Sequence, residues 1–308
     1  MGLPAELAEL AKAVSNWGRW GDDDERGTVN LIDADAVRRG AAAVRHGRTF
    51  PLSIRFDREG PQPPASMRLN PVRTSLELNN PYTGDPADVC VNDDMVVMGV
   101  QAATHWDALS HISYDGLLYN GHPASSVTAE AGATRCGIEK LGAIVSRGVL
   151  LDVARTLGVD WIEPGYAITA DDLDAAADAA SLAVEPGDVV LVRTGQIRHF
   201  KEGRKREYVN ALGGLSTLTI EWFHARDVAA VATDCLAFEA IPGVDPSYFL
   251  PVHMIQVRDM GLTQGQHFDL EDLAADCADD GVYEFLLEAS PIPITGASGA
   301  PVHPVATK

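Results

Sequence analysis

Three short apolar runs, separated by stretches of helical character, most constrain the fold of this chain. Residues 148–153, 188–194 and 229–233 are rich in Val, Leu and Ala and have the length of buried strands. Between the first two runs, Thr169 is suited to cap a helix over 170–182. Because strand and helix alternate, we predict an α/β fold around a largely buried sheet.

The N-terminal third of the chain has a different pattern. Residues 1–50 predict two amphipathic helices, whereas residues 57–90 are rich in proline and predict an irregular segment that is functional or an interface arm. The run 94–100 follows and predicts another buried strand. We find no repeat and no linker rich in Gly or Ser. We therefore predict an N-terminal helical extension over 1–50 and one domain over 51–308.

Acidic residues outnumber basic ones in this 308-residue chain: 44 Asp and Glu against 24 Lys and Arg give a formal net charge of −20. Nucleic acids and anionic membranes bind basic surfaces, so we expect neither as a partner. No apolar run approaches the roughly 18 residues of a membrane span. The four cysteines form no C-x-x-C pair, which argues against a disulfide framework or a cysteine zinc cage. We expect a cytoplasmic protein that acts on a small molecule.

The densest group of polar side chains lies between Gln101 and His111. If the strand 94–100 continues, its alternation puts Gln101, His105 and Asp107 on one face. If a helix follows Asp107, His111 returns to the same side. The segment then offers metal ligands and a nearby base, although a His-x-Asp pair is also often only a hydrogen-bonded pair. The chain has no H-E-x-x-H, G-x-S-x-G or phosphate-loop motif to indicate other chemistry.

This segment resembles the motif H-x-G-T-H-x-D-x-P-x-H of the cyclase family, which includes bacterial kynurenine formamidases and isatin hydrolases. Thr104, His105, Asp107 and His111 match the motif in register. Further stretches resemble family blocks in the same order, namely WGRWG at 17–21, GTVNL at 27–31, YDG at 114–116, EPGDVVLVRTG at 185–195, GLS at 214–216 and PVH at 251–253. Several separated blocks make the resemblance more specific than the histidine motif alone.

The resemblance implies a metal-dependent amidohydrolase with a swivelling β/β/α fold, a central mixed sheet and a homodimeric or homotetrameric assembly. It implies that His105 and Asp107 bind a divalent metal, that His111 assists proton transfer, and that His253 matches a later metal-binding histidine. In dinuclear members the aspartate bridges to a second metal, which that later histidine and a glutamate hold.

Two positions depart from the family motif. The first motif histidine is Gln101, and the later glutamate falls at Gln266, so Asp107 is the only carboxylate among the implied ligands. Amide oxygens supply neither charge nor a nitrogen donor. We therefore expect one divalent ion, Mn²⁺ or Zn²⁺, with the harder Mn²⁺ favoured. The adjacent His267 would replace Gln266 if the register shifted by one residue.

The expected activity is hydrolysis of a small amide, lactam or related cyclic carbonyl compound by metal-activated water, with His111 as general acid and base. Two alternatives stay open: a metal-dependent cyclase or dehydratase acting on a small polyketide-like substrate, and a metal-poor, catalytically silent member that binds a ligand. Trp106, Tyr114 and Tyr119 are candidates for the substrate-binding wall, although bulky residues near a strand end are more often core.

Overall fold

The structure is a computed structural model that describes residues 3–244 and 247–308. Its strands are β1 (Thr49–Pro51), β2 (Val72–Pro81), β3 (Cys90–Val97), β4 (His105–Asp107), β5 (Val127–Thr128), β6 (Gly132–Ala133), β7 (Val145–Asp152), β8 (Ala167–Ile168), β9 (Val189–Arg193), β10 (Gly214–Leu215), β11 (Ala230–Thr233), β12 (Thr263–Gln266), β13 (Glu284–Glu288), β14 (Gly299–Pro301) and β15 (Val305–Thr307).

The α-helices are α1 (Ala5–Ala13), α2 (Ala34–Ala42), α3 (Val153–Thr156), α4 (Ala170–Ala179), α5 (Ile197–Lys201), α6 (Lys205–Asn210), α7 (Ile220–Ala225), α8 (Pro251–His253) and α9 (Glu271–Asp280). A π-helix over Met254–Met260 continues α8, and short 3-10 turns occupy Gly27–Leu31, Tyr119–Gly121, Ala124–Ser126, Ile138–Lys140 and Thr217–Thr219. None of the helices within the described ranges combines the length and apolarity needed to cross a bilayer.

Nine strands form one mixed sheet in the order β1-β15-β13-β7-β9-β11-β12-β4-β14. The strands from β7 to β12 in this order run parallel, and the flanking pairs are antiparallel. The predicted strands at 148–153, 188–194 and 229–233 are confirmed as β7, β9 and β11, which lie side by side. The prediction of an α/β fold with a central mixed sheet is therefore confirmed.

Both faces of the sheet are covered. In β9, Val189 and Leu191 pack into one hydrophobic cluster, while Val190 and Val192 pack into the cluster on the opposite face. A strand that is buried on both faces has no reason to alternate polar with apolar residues. This explains why the central strands are continuous apolar runs in the sequence.

Helix α4 shows how local sequence signals set the element boundaries. The Thr169 hydroxyl accepts a hydrogen bond from Asp172 N, and the Asp172 side chain accepts one from Thr169 N, which completes a capping box. The predicted start is therefore confirmed, but the helix ends at Ala179 rather than at 182.

The prediction of a buried strand over 94–100 is wrong. The chain forms β3, which pairs only with β2 among the described strands, in an antiparallel hairpin with bulges. Val96 and Val97 are about half exposed, at 56% and 49%. A β-branched run favours an extended backbone whether or not the strand is buried, so composition could not reveal its exposure. The hairpin also corrects the prediction of an irregular segment over 57–90, since only its first part lacks regular structure.

Candidate functional site

The motif residues lie on and beside β4, a three-residue strand buried between β12 and β14. His105 stands directly opposite Gln266 in the sheet, and directly opposed residues point to the same face. Trp106 points to the other face, where Gly265 makes room for its ring: a Cβ at position 265 would lie 2.9 Å from it. The register of β4 and β12 thus brings two predicted ligands together from distant parts of the chain.

His105 and Asp107 offer two buried atoms that no other group satisfies. His105 Nδ1 hydrogen-bonds to the Ala103 carbonyl oxygen at 2.7 Å, which leaves the lone pair on Nε2. That Nε2 lies 3.5 Å from Asp107 Oδ1, and both atoms are buried without a hydrogen-bond partner. Burial works to raise the pKa of Asp107, but His111, His105 and His253 outweigh it and hold the pKa below its usual range. The carboxylate is therefore ionised at neutral pH.

His111 reaches the same carboxylate without the expected helix. A turn follows β4, in which His111 N donates to Ala108 O at 2.9 Å. The turn places His111 Nε2 3.7 Å from Asp107 Oδ1 and His111 Nδ1 3.5 Å from Gln101 Nε2. The charge of Asp107 raises the pKa of His111, but burial and the charges of His253, Arg68 and His105 together lower it below its ordinary value. His111 is therefore neutral at neutral pH and is able to accept a proton.

His253 enters the site from α8 and is oriented by a residue that the motif does not contain. Glu239 accepts hydrogen bonds from the backbone N–H groups of Val252 and His253, and its Oε1 also contacts His253 Nδ1. The second ring nitrogen of His253 lies 3.3 Å from Gln266 Nε2, which donates to Asp107 Oδ2 at 3.0 Å. A carboxylate that holds Nδ1 is the usual support of a metal-binding histidine.

His267 also belongs to the site, although its backbone conformation differs from that of its neighbours. It has a positive φ of 60°, and it directs a fully buried ring toward His105, with ring centroids 5.7 Å apart. His267 Nδ1 bonds the Tyr208 hydroxyl at 2.7 Å, and Nε2 has no partner. Burial, His105 and Arg68 lower its pKa well below the ordinary value. Both Gln266 and His267 therefore contribute side chains here.

Gln101 is held by the adjoining strand rather than by a continuation of β3. Its Nε2 donates to the Ser298 carbonyl and hydroxyl oxygens at 3.2 Å. Gly299 lets the side chain approach, because a Cβ at that position would lie 2.7 Å from Gln101 Nε2. The amide thus occupies the position of the first motif histidine and lies beside His111.

The side chains around His105 and Asp107 fit a divalent ion, but they offer fewer charged and nitrogen donors than a complete metal site. Across residues 3–244 and 247–308, no three His, Cys, Asp or Glu side chains are grouped so as to hold a metal by themselves. His105 Nε2 and Asp107 Oδ1 are nevertheless orphaned, and a buried polar atom without a partner is costly. His253 and the amides of Gln101 and Gln266 are the other candidate donors beside them. This set has one carboxylate and suits a weakly held ion.

A cavity of about 460 Å³ opens beside these residues. Its polar end is formed by His111, His253 and Gln266. Most of its remaining wall is apolar and includes Pro63, Met67, Val209, Leu236, Ile241, Phe249 and Leu250. Arg68, on the proline-rich segment, adds a cation to this wall. The size and the mostly apolar lining are those of a small-molecule site.

The three predicted substrate-binding aromatics lie elsewhere. Trp106 is fully buried against Phe268, and its Nε1 donates to Ala289 O at 2.7 Å. The hydroxyl of Tyr119 bonds Asp24, and that of Tyr114 bonds Asp259. None of the three is among the described residues that line the cavity. The alternation that puts His105 and Asp107 on one face of the strand also puts Trp106 on the other, where it is core.

Comparison with known proteins identifies the family. A family model described as Putative cyclase matches residues 49–240, which is more than half of the chain. A crystal structure described as a novel cyclase shares 38% identity over 97% of this chain and 99% of its own, with a TM-score of 0.88. The chain belongs to the cyclase family. No curated protein matches it.

More distant members of the cyclase family share the fold. Isatin hydrolase A from Labrenzia aggregata, bound to benzyl benzoate, has 18% identity and a TM-score of 0.62 over 87% of this chain and 96% of its own. An isatin hydrolase bound to the product analogue thioisatinate has 16% identity and a TM-score of 0.60 over 89% of this chain and 98% of its own. The predicted cyclase-type fold is therefore confirmed.

Proposed function

We propose that this cyclase-family chain is a hydrolase that cleaves the carbon–nitrogen bond of a small amide, lactam or related cyclic carbonyl compound. The observation that carries the proposal is the convergence of His105 and His111 on the buried carboxylate of Asp107, with His111 itself lining the cavity. The isatin hydrolases of the same fold support this substrate class.

The protonation states of His111 and Asp107 determine their roles in the reaction. The neutral imidazole of His111 accepts a proton from the attacking water and returns it to the leaving nitrogen, a role worth roughly 10² to 10⁴ in rate. The ionised Asp107, 3.7 Å away, stabilises the imidazolium that forms between these steps. The apolar wall contacts the hydrocarbon part of the substrate. Hydrolysis balances as water adds across the bond to give an acid and an amine.

His105, Asp107, His253 and the amides of Gln101 and Gln266 would hold one divalent ion, Mn²⁺ or Zn²⁺. When bound, such an ion polarises the carbonyl and makes water more acidic. Glu239 keeps His253 in a fixed orientation for this purpose.

The test is turnover of formanilide, isatin and an aryl lactone by metal-supplemented protein. We expect His111→Ala to lower kcat by about 10² or more with little change in KM, since the residue acts in the chemical step. His46→Ala, which removes an exposed histidine, is the matched control and should leave kcat unchanged. Turnover by His111→Ala within about twofold of the parent would contradict the proposed role.

One observation favours a second candidate, a metal-poor member that only binds a ligand. Gln266 donates to Asp107 Oδ2 and lies beside His253, which Glu239 holds in turn, so these side chains are linked by hydrogen bonds without an ion, although Asp107 Oδ1 has no partner. Metal analysis of the purified protein separates the two candidates. Less than about one-tenth of an equivalent after supplementation, together with no turnover of the panel, would favour the ligand-binding protein.

A further inference from the structure

Arg68 lies at the wall of the cavity, and among the described residues it has no acidic partner. Within residues 3–244 and 247–308 its guanidinium forms no ion pair, and its one hydrogen bond is a long one of 3.4 Å from Nη1 to Gln101 O. By contrast, the guanidinium of Arg193 contacts both Asp152 and Glu271. Arg68 therefore presents its charge to the same cavity that His111 lines.

The backbone fixes the position of Arg68. Its own N–H donates to the Ser66 hydroxyl at 3.0 Å, and the next residue's carbonyl accepts from Gly99 N at 2.8 Å. Gln62 ties the same segment to the motif by donating to Ala102 O at 3.1 Å. These hydrogen bonds hold the segment against the start of the motif, so the Arg68 side chain begins at the cavity wall.

Arg68 also lies near the reacting groups. Its charge acts on both His111 and His267, and its hydrogen bond to Gln101 O places it next to the amide that neighbours His111. An anion that it binds would therefore share the cavity with a carbonyl group beside His111. The apolar remainder of the wall suits a hydrocarbon or aromatic body.

We propose that Arg68 determines specificity by binding a carboxylate of the substrate through two of its guanidinium nitrogens. The substrate is then a small carboxylic acid with an apolar body, and its cleavable bond lies at His111. An arginine fork matches a carboxylate in two parallel hydrogen bonds. The identity of the reaction rests on the proposed hydrolase function, whereas the carboxylate site does not require turnover.

The binding test uses benzoate and benzamide, which have the same shape and differ in charge. Calorimetric titration of the intact protein should show benzoate binding more tightly than benzamide. Arg68→Ala should weaken benzoate binding by about 10- to 100-fold and leave benzamide binding within about threefold, which is the scale of hydrogen bonds to a charged group. Arg58→Ala removes an exposed arginine of the same segment that does not line this cavity, and it is the matched control.

The kinetic test uses 2-formamidobenzoate and formanilide, which share one N-formyl bond and differ by the carboxylate. Arg68→Ala should lower kcat/KM for the acid by about 10- to 100-fold and for formanilide by less than about threefold. Arg68→Lys, which keeps the charge but loses the fork, should fall between Arg68→Ala and the parent. A melting temperature close to the parent's shows that each variant is folded.

The outcomes separate the two proposals. Benzoate binding that depends on Arg68, with no turnover of either formamide, supports the carboxylate site and counts against the hydrolase. Turnover in which Arg68→Ala harms both formamides equally, or benzoate that binds no better than benzamide to the parent, overturns the carboxylate site and leaves the hydrolase standing.

Discussion

At the scale of single residues, the site combines side chains that the sequence could identify with others that it could not. His105, Asp107 and His111 could be named because a motif fixes their spacing, and His253 because it matches a later family block, and the structure brings them together. Arg68 could not be predicted from the sequence, since it lies in an irregular segment with no motif. Its relation to the site depends on backbone hydrogen bonds to residues about thirty positions later.

We expect the amide at position 101 to limit metal affinity. Gln101→His restores the nitrogen donor of the family motif, so we expect affinity for Zn²⁺ to rise by about tenfold or more, the scale on which changes around a metal site act. Isothermal titration of the metal-free protein measures this change. His122→Ala, which alters a histidine outside the cavity, should leave Zn²⁺ affinity as it was. Equal affinity in Gln101→His and the parent would show that position 101 does not reach the ion.

At the scale of secondary-structure elements, the parallel strands were predictable from the sequence, but the side-chain hydrogen bonds that join their ends were not. The apolar runs identified β7, β9 and β11, because length and composition suffice for strands that are buried on both faces. The side chain of Asp234 joins the ends of β9 and β11. Asp234 accepts hydrogen bonds from Thr194 N, Thr194 Oγ1 and Gly195 N, all at 2.6–2.7 Å and all buried.

Removing this support should loosen the end of the sheet nearest the site. Asp234→Ala leaves three buried donors without an acceptor, so we expect the free energy of unfolding to fall by about 3 kcal/mol. Urea denaturation followed by circular dichroism measures it. Asp178→Ala, at an exposed position of α4, should change it by less than about 0.5 kcal/mol. A loss for Asp234→Ala no larger than that of the control would mean that these bonds add nothing net.

At the scale of the whole molecule, the hairpin of β2 and β3 stands apart from the sheet. Its apolar side chains face outward, with Leu76 at 63% and Leu78 at 73% exposure. A two-stranded hairpin alone is marginally stable in water, and a large exposed apolar patch usually marks an interaction site. We propose that the hairpin packs on a second copy of the chain and forms a homodimer or homotetramer. The sequence suggested an assembly through the family resemblance and through the possible interface arm at 57–90, but it did not reveal that β3 is exposed.

Light scattering coupled to size-exclusion chromatography tests this assembly. The parent protein should elute as a dimer or tetramer, and Leu76→Ser with Leu78→Ser should shift it toward the 32.9 kDa monomer. Leu157→Ser with Leu218→Ser makes the same exchange at exposed positions outside the hairpin and should preserve the assembly. A monomeric parent at micromolar concentration would be incompatible with the interface.

The proline-rich segment before β2 has a consequence for how such an enzyme diversifies. It supplies Pro63, Met67 and Arg68 to the cavity, whereas the acid–base and candidate ligand residues come from β4, α8, β12 and the turn after β4. Part of the wall and the reacting residues are thus encoded by separate stretches of the gene. We expect exchange of this stretch between relatives to alter substrate preference while the reacting residues stay unchanged, which makes it a suitable target for directed evolution.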